Sequence, residues 1–222
     1  PTARLASAIA AAGRGLSARA SRLAAAGGVS ATANYTISTY FHAVMPRLTE
    51  RAVAWLRERR GSKEPFLLYF PFTSPHAPIV PSPEFAGKSK AGGYGAFVEQ
   101  TDDTVGRVLA ELAASGFAEN TIVIFSADNG PEHYAYPRIQ NFGHHSTGPL
   151  RGLKRDVWEG GHRVPYIVRY PGVVKPGSVS DALVHQADLF ATVAELLGAP
   201  VPAIAGEDSV SLLPVLRGTV KS

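Results

Sequence analysis

The 222 residues contain no cysteine. That excludes a disulfide scaffold, a thiolate metal site and a thiol nucleophile. Apolar runs approaching the roughly 18–20 residues that span a bilayer are also missing, so no transmembrane segment is expected. Acidic residues are absent before Glu50, whereas Arg4, Arg14, Arg19 and Arg22 all lie in the first 33 positions. The net charge of +4 therefore belongs to this leader, and without its arginines basic and acidic residues balance. A neutral body offers no stripe of positive charge to track phosphates, so nucleic acid is not an expected partner. What is present is ordinary for a folded protein: 45% hydrophobic, 9% aromatic and 18% charged residues, in a length suited to one domain or slightly more.

Residues 1–33 are mostly alanine, glycine, serine and arginine, and no aromatic precedes Tyr35. A helix around Ala8–Ala12 is possible on propensity, but the stretch has little apolar bulk to bury. It is expected to be a disordered low-complexity leader, superficially like an organelle transit segment. A start at Pro1 rather than methionine favours truncation or processing. Residues 34–222 form the expected folded part, and Asn34-Tyr35-Thr36 is a formal glycosylation sequon.

From Met45 onward helical and strand patterns alternate. Leu48, Ala52, Trp55 and Leu56 recur at helical spacing, and Gly61 stops that helix. Phe66–Phe70 is a short continuous apolar run, as expected for a strand covered on both faces. Tyr94, Phe97, Val98, Thr101, Val105, Val108, Leu109 and Leu112 mark a long amphipathic helix closed by Gly116. On this helix Asp102 flanks the apolar face and Asp103 lies opposite it, so both read as structural. Thr121–Phe125 predicts a second buried strand, Val164–Arg169 a third, and Asp188–Leu197 a helix ended by Gly198. Such alternation is the pattern of an α/β domain with helices packed on a mostly parallel sheet.

Ligands in open α/β sheets gather beyond the carboxyl ends of strands, and two polar clusters fall at such places. Phe66–Phe70 runs into Pro71-Phe72-Thr73-Ser74-Pro75-His76-Ala77-Pro78, where flanking prolines restrict the backbone that presents His76. Taken alone, His76 better suits a plain surface loop. Thr121–Phe125 runs into Ser126-Ala127-Asp128-Asn129-Gly130, whose carboxylate and amide oxygens are hard donors suited to Ca²⁺ or Mg²⁺. The same tripeptide is good turn chemistry anywhere, and two donors fall short of the roughly six to eight that calcium takes. A third cluster, Leu150–Pro165, sets Lys154, Glu159 and Arg163 around the Gly160-Gly161 pair, which suits either an ammonium holding an oxyanion or a solvated charged loop. Upstream, His144-His145 suits either substrate contact or a mobile loop.

Taken together and in order, these strings resemble the sulfatase family, bacterial arylsulfatases in particular. The resemblance runs from Thr73-Ser74-Pro75-His76-Ala77-Pro78 through Ser126–Gly130 and Leu150–Lys154 to Glu159-Gly160-Gly161-His162-Arg163-Val164-Pro165. It continues to His185-Gln186-Ala187-Asp188-Leu189-Phe190 and Ser211–Gly218, covering roughly residues 40–218. The resemblance implies an alkaline-phosphatase-like α/β fold with a mixed, mostly parallel sheet flanked by helices. It implies hydrolysis of a sulfate ester, on a small molecule or a glycan, assisted by Ca²⁺. Asp128 and Asn129 match the second pair of calcium ligands. Lys154 matches the lysine that contacts the sulfate and assists the leaving oxygen, and His76 the histidine on the opposite side of the sulfate. His145 is added as a substrate contact. Family habit leans toward a periplasmic or secreted location.

The same resemblance exposes gaps. Its nucleophile is a formylglycine made from the cysteine or serine of a Cys/Ser-x-Pro-x-Arg motif, and neither version occurs here. The early Asp-Asp pair that completes the calcium shell, the arginine of the nucleophile motif and the Lys-x-His that follows it are not found either. The small C-terminal domain is not found after Leu216-Arg217-Gly218. The expectation is an incomplete catalytic domain with half its calcium ligands, inactive alone. Two alternatives are a phosphate or phosphonate ester hydrolase of the same superfamily, and a pseudoenzyme keeping a weak anion or metal site.

Overall fold

The computed structural model describes residues 40–202 and 204–220, so the expectations for residues 1–33 and for Asn34 lie outside the described residues. The described chain groups into two compact units. One runs to Ala118 and takes back Tyr136–His144; the other combines Glu119–Ala135 with the chain from His145 onward.

The first unit is built on α1 (Val44–Glu58) and α2 (Gly92–Ala114). Met45, Thr49, Ala52 and Leu56 fall on one face of α1 and are buried, and Gly61, at φ +80°, turns the chain after it. Complete burial of Met45 and Leu56 is worth about 1.5–3 kcal/mol each. The buried face of α2 differs from the apolar stripe expected from the sequence. Phe97, Thr101 and Leu112 are buried as expected, but so are Gln100, Thr104 and Glu111, whereas Val98 and Leu109 are exposed. Each polar group burying itself there has a partner, which is what makes its burial tolerable. Thr49 and Thr104 share a 2.9 Å hydroxyl bond, Thr101 meets Ser74 at 2.6 Å, and Gln100 accepts the Ser82 N–H. Glu111 receives Arg57 at 2.7 Å, Arg60 at 3.2 Å and the Ser115 hydroxyl at 2.8 Å. The Arg57 bond, then that of Ser115, hold its carboxyl below the usual range. Asp102 and Asp103 are both exposed.

Phe66–Phe70 is not a strand, which corrects the expectation of one covered on both faces. A strand is defined by its ladder, and the backbone of these residues makes no hydrogen bond to any described residue. Leu67 and Tyr69 are exposed, while Phe66 packs edge-on between Trp55 and Phe117 with ring centroids 5.4 and 5.2 Å away. Within the same unit, α3 (Ala135–Phe142) sets Arg138 3.4 Å above the Tyr94 ring.

In the second unit, β1 (Val123–Ser126) pairs antiparallel with β2 (Tyr166–Arg169), Val123 opposite Arg169 and Ser126 opposite Tyr166. Among the described residues this pair is the whole sheet. The two strands are shorter than expected, and β1 is only half-buried rather than enclosed. In β2 burial alternates, with Ile167 exposed, as happens when a ladder is covered on one face. A short helix α4 (Glu159–His162) precedes β2, and α5 (Asp188–Leu196) and α6 (Leu213–Leu216) follow. Buried Asp188 fixes the entry to α5 by accepting the His185 N–H at 2.7 Å and the Val210 N–H at 2.9 Å.

Candidate active site

The loop that leaves β1 carries Asp128, Asn129 and Gly130; two backbone contacts hold it against the loop that carries Lys154, and a third closes that second loop on itself. Gly130 N–H donates to the Gly161 carbonyl at 2.9 Å, Lys154 N–H to the Pro131 carbonyl at 2.8 Å, and Gly160 N–H to the Arg151 carbonyl at 2.8 Å. These contacts need bare backbone. A Cβ on Gly130 would lie 1.9 Å from the Gly160 oxygen, one on Gly160 2.3 Å from the Gly152 oxygen, and one on Gly161 2.4 Å from the Leu153 oxygen. Gly152 adopts φ +89°, with the Trp158 Cβ 2.6 Å from where its own Cβ would be. The four glycines therefore let the segments around residues 130, 152 and 160 close on one another within ordinary backbone contact.

Side chains lock the same knot. Asp156 accepts the Leu153 N–H at 2.8 Å. Glu132 accepts both of its oxygens' bonds from one Arg155 nitrogen, each at 2.6 Å. Arg155 first, then the His133 N–H and ring, pull the Glu132 carboxyl down to about 2. Arg155 sits at φ +79°, a left-handed conformation that costs a non-glycine residue about 1–2 kcal/mol. The ion pair thus helps fix the peptide that follows Lys154.

Two expected metal ligands and one expected sulfate contact are brought together by this arrangement. Asp128 is exposed and its carboxylate makes no bond to any described residue. Asn129 donates its own Nδ2 to the Gly130 carbonyl at 2.9 Å, which leaves Oδ1 as the free acceptor. The Lys154 ammonium has no ion pair or hydrogen bond among the described residues; the loop holds that residue by its backbone alone. His145 is exposed in the same unit, and its carbonyl accepts the Gly148 N–H. His76 belongs to the first unit, where its Nδ1 lies 2.6 Å from the Ala77 carbonyl and its N–H bonds to Thr73. Glu159 and Arg163 pair with each other at 2.8 Å on the exposed side of α4 rather than at Lys154.

A Ca²⁺ ion suits the donor chemistry of Asp128 and Asn129, since both offer hard oxygens that nothing else engages. Among the described residues no group of three or more His, Cys, Asp or Glu side chains could hold a metal. Two donors by themselves fall short of the roughly six to eight that calcium takes. An open cavity of about 520 Å³ in this unit lies elsewhere, between Phe190, Ile204 and Asp208. What sequence reading missed is the supporting set: Asp156, the Glu132–Arg155 pair and Gln186, whose carboxamide donates to the Ala127 carbonyl. The glycines were the available signal for the knot, and nothing in the sequence marked which carboxylates support it.

A family model described as Sulfatase matches residues 22–199. The chain belongs to the sulfatase family. It is 40% identical over 193 residues to a steryl-sulfatase of Rattus norvegicus, covering 85% of this chain and 33% of that protein. It is 39% identical over 177 residues to an N-acetylgalactosamine-6-O-sulfatase of Bacteroides thetaiotaomicron, covering 77% and 34%. Among solved structures, a Bacteroides thetaiotaomicron 6S-sulfatase from a glycosaminoglycan-metabolism locus superposes with a TM-score of 0.74 at 37% identity, covering 82% of this chain and 38% of that one. The sulfatase PsFucS1 of Pseudoalteromonas sp. superposes at 0.69 with 30% identity, covering 79% and 34%. The sulfatase fold is thereby shown, in its alkaline-phosphatase-like α/β form. This sulfatase chain spans about a third of the length of the curated relatives it matches.

Proposed function

We propose that this chain supplies the sulfate-holding part of a sulfate ester hydrolase. The observation that carries the reading is the glycine knot, which presents an unengaged ammonium on Lys154 and two unengaged oxygen donors on Asp128 and Asn129 from loops bonded to each other. Lys154 neutralises a sulfate oxygen and meets the departing alcohol oxygen. His145, in the same unit, adds a polar contact to the substrate. Asp128 and Asn129 would hold Ca²⁺, which when bound supplies positive charge to the sulfate oxygens. Removing one such charge-stabilising group from a complete active site typically costs about 10²–10³ in rate.

The substrate class is a sulfate ester of a small molecule or a glycan. The relatives are named for a steroid and for an amino sugar, two very different alcohols. What those names share is the sulfate, and that is the part Lys154 and the Asp128–Asn129 pair would read. The nucleophile is a different matter. With no cysteine and no Ser-x-Pro-x-Arg, these residues hold no group convertible to formylglycine. The 222-residue chain therefore binds sulfate without turning over an ester.

The test is a chromogenic aryl sulfate assay on the 222-residue chain with and without calcium, paired with a sulfate titration followed by NMR. The expected result is no turnover, with saturable sulfate binding that Lys154→Met abolishes. Calcium-stimulated turnover would overturn the assignment of the nucleophile, and sulfate binding indifferent to Lys154→Met would overturn the assignment of the site.

A further inference from the structure

The motif His185-Gln186-Ala187-Asp188 supplies none of the proposed ligands or substrate contacts, yet it reaches the site. Asp188 is buried and spends both carboxylate oxygens on backbone N–H groups, those of His185 and Val210. The Asp188 N–H returns a bond to the His185 carbonyl at 3.0 Å, closing a tight turn around Gln186. Ser209 braces the same turn by donating to the Ala187 carbonyl at 2.7 Å. From this clamped backbone Gln186 extends its carboxamide to the end of β1. There Nε2 donates to the Ala127 carbonyl and lies 3.5 Å from the Ser126 hydroxyl.

That carbonyl belongs to the peptide linking Ala127 to Asp128. Fixing a carbonyl oxygen fixes its whole peptide plane, and with it the direction from which the next residue leaves the strand. Asp128 itself is exposed and makes no hydrogen bond or ion pair among the described residues, and on its other side the loop is held at Gly130 by Gly161. We infer that Gln186 is a positioning residue for the calcium ligands, setting the aim of Asp128 through the Ala127 carbonyl.

The inference rests on the proposed metal role of Asp128 and Asn129, and it concerns a residue outside that donor set. Partners that orient ligands from behind typically change metal affinity by about 10–100-fold when removed. The variant is Gln186→Met, which keeps length and apolar bulk and deletes the donor; Gln186→Glu, which replaces the donor by a second acceptor, is its companion. Amide resonances of Asp128, Asn129 and Gly130 in the 222-residue chain report both the loop conformation without metal and its calcium titration. The expected result is that both variants shift these three amides before calcium is added, and need about 10-fold more calcium to saturate, with the melting temperature unchanged. Unshifted amides and an unchanged titration midpoint would overturn the positioning role while leaving the metal site intact. Absence of any calcium response in the parent chain would overturn the metal reading and this inference with it. A fall in melting temperature equal in both variants, with calcium affinity unchanged, would assign Gln186 a purely structural role.

Discussion

Gly130 donates its N–H to the carbonyl of Gly161 at 2.9 Å, and neither residue has room for a side chain. The loop bearing the candidate metal ligands and the loop bearing the candidate sulfate contact are thus one mechanical object. Disturbing the contact between them disturbs both at once.

Gly161→Ala places a Cβ 2.4 Å from the Leu153 carbonyl and 2.5 Å from the Asp156 carbonyl. Backbone must move to admit it, at an expected cost of about 1–3 kcal/mol. Gly106→Ala is the control: it lies inside α2 with nothing within 4 Å, and should stabilise by about 0.5–1 kcal/mol through helix propensity. Urea unfolding curves read both, and equal behaviour of the two variants would refute the close-packing account.

Lys154 separates into two functions. Its side chain is unengaged, whereas its N–H straps the loop to Pro131. Lys154→Met should leave the unfolding midpoint within about 0.5 kcal/mol of the parent and lose sulfate binding. Lys154→Pro, which deletes the N–H, should lower stability as well. Equal stability of the two variants, measured by thermal denaturation, would show that the strap carries no energy.

Glu132 gives the second unit an acid-sensitive strap. Its carboxyl titrates at about 2 because Arg155 holds it, below the 4.5 of a free side chain. A depressed folded-state value means stability that is present above the ordinary value and lost as pH falls from about 4.5 through about 2. The Glu132 carboxyl resonance should therefore titrate near 2 in the parent and move up toward 4.5 in Arg155→Met. An unmoved midpoint would assign the depression to His133 instead.

Leu56 and Leu67 test where the first unit keeps its core. Leu56 is wholly buried and Leu67 is 54% exposed. Leu56→Ala should cost about 2–5 kcal/mol, and Leu67→Ala no more than about 0.5 kcal/mol. A large loss at Leu67, read by chemical denaturation, would mean that Phe66–Phe70 is enclosed in solution.

The sequence was most legible where its information is local. Helical spacing located α1 and α2, and glycines located their ends, because an amphipathic face and a left-handed residue are written in neighbouring positions. The buried face of α2 was misread because hydropathy ranks Thr104 and Glu111 as surface residues. It cannot see that Thr49, Arg57 and Ser115 are placed to satisfy them. Phe66–Phe70 was misread for the converse reason: its composition suits a strand, but a strand requires a partner, and composition names none.

By itself the sequence determined the family, through motifs whose order and spacing are linear properties, and the donor chemistry available at Asp128, Asn129, Lys154 and His76. It also showed that these 222 residues contain no cysteine. Only the tertiary structure decided that the loops of Asn129 and Lys154 are bonded to each other, and that Glu132, Asp156 and Gln186 support them. Those contacts run through backbone carbonyls and N–H groups, which every residue carries alike, so no side-chain pattern announces them.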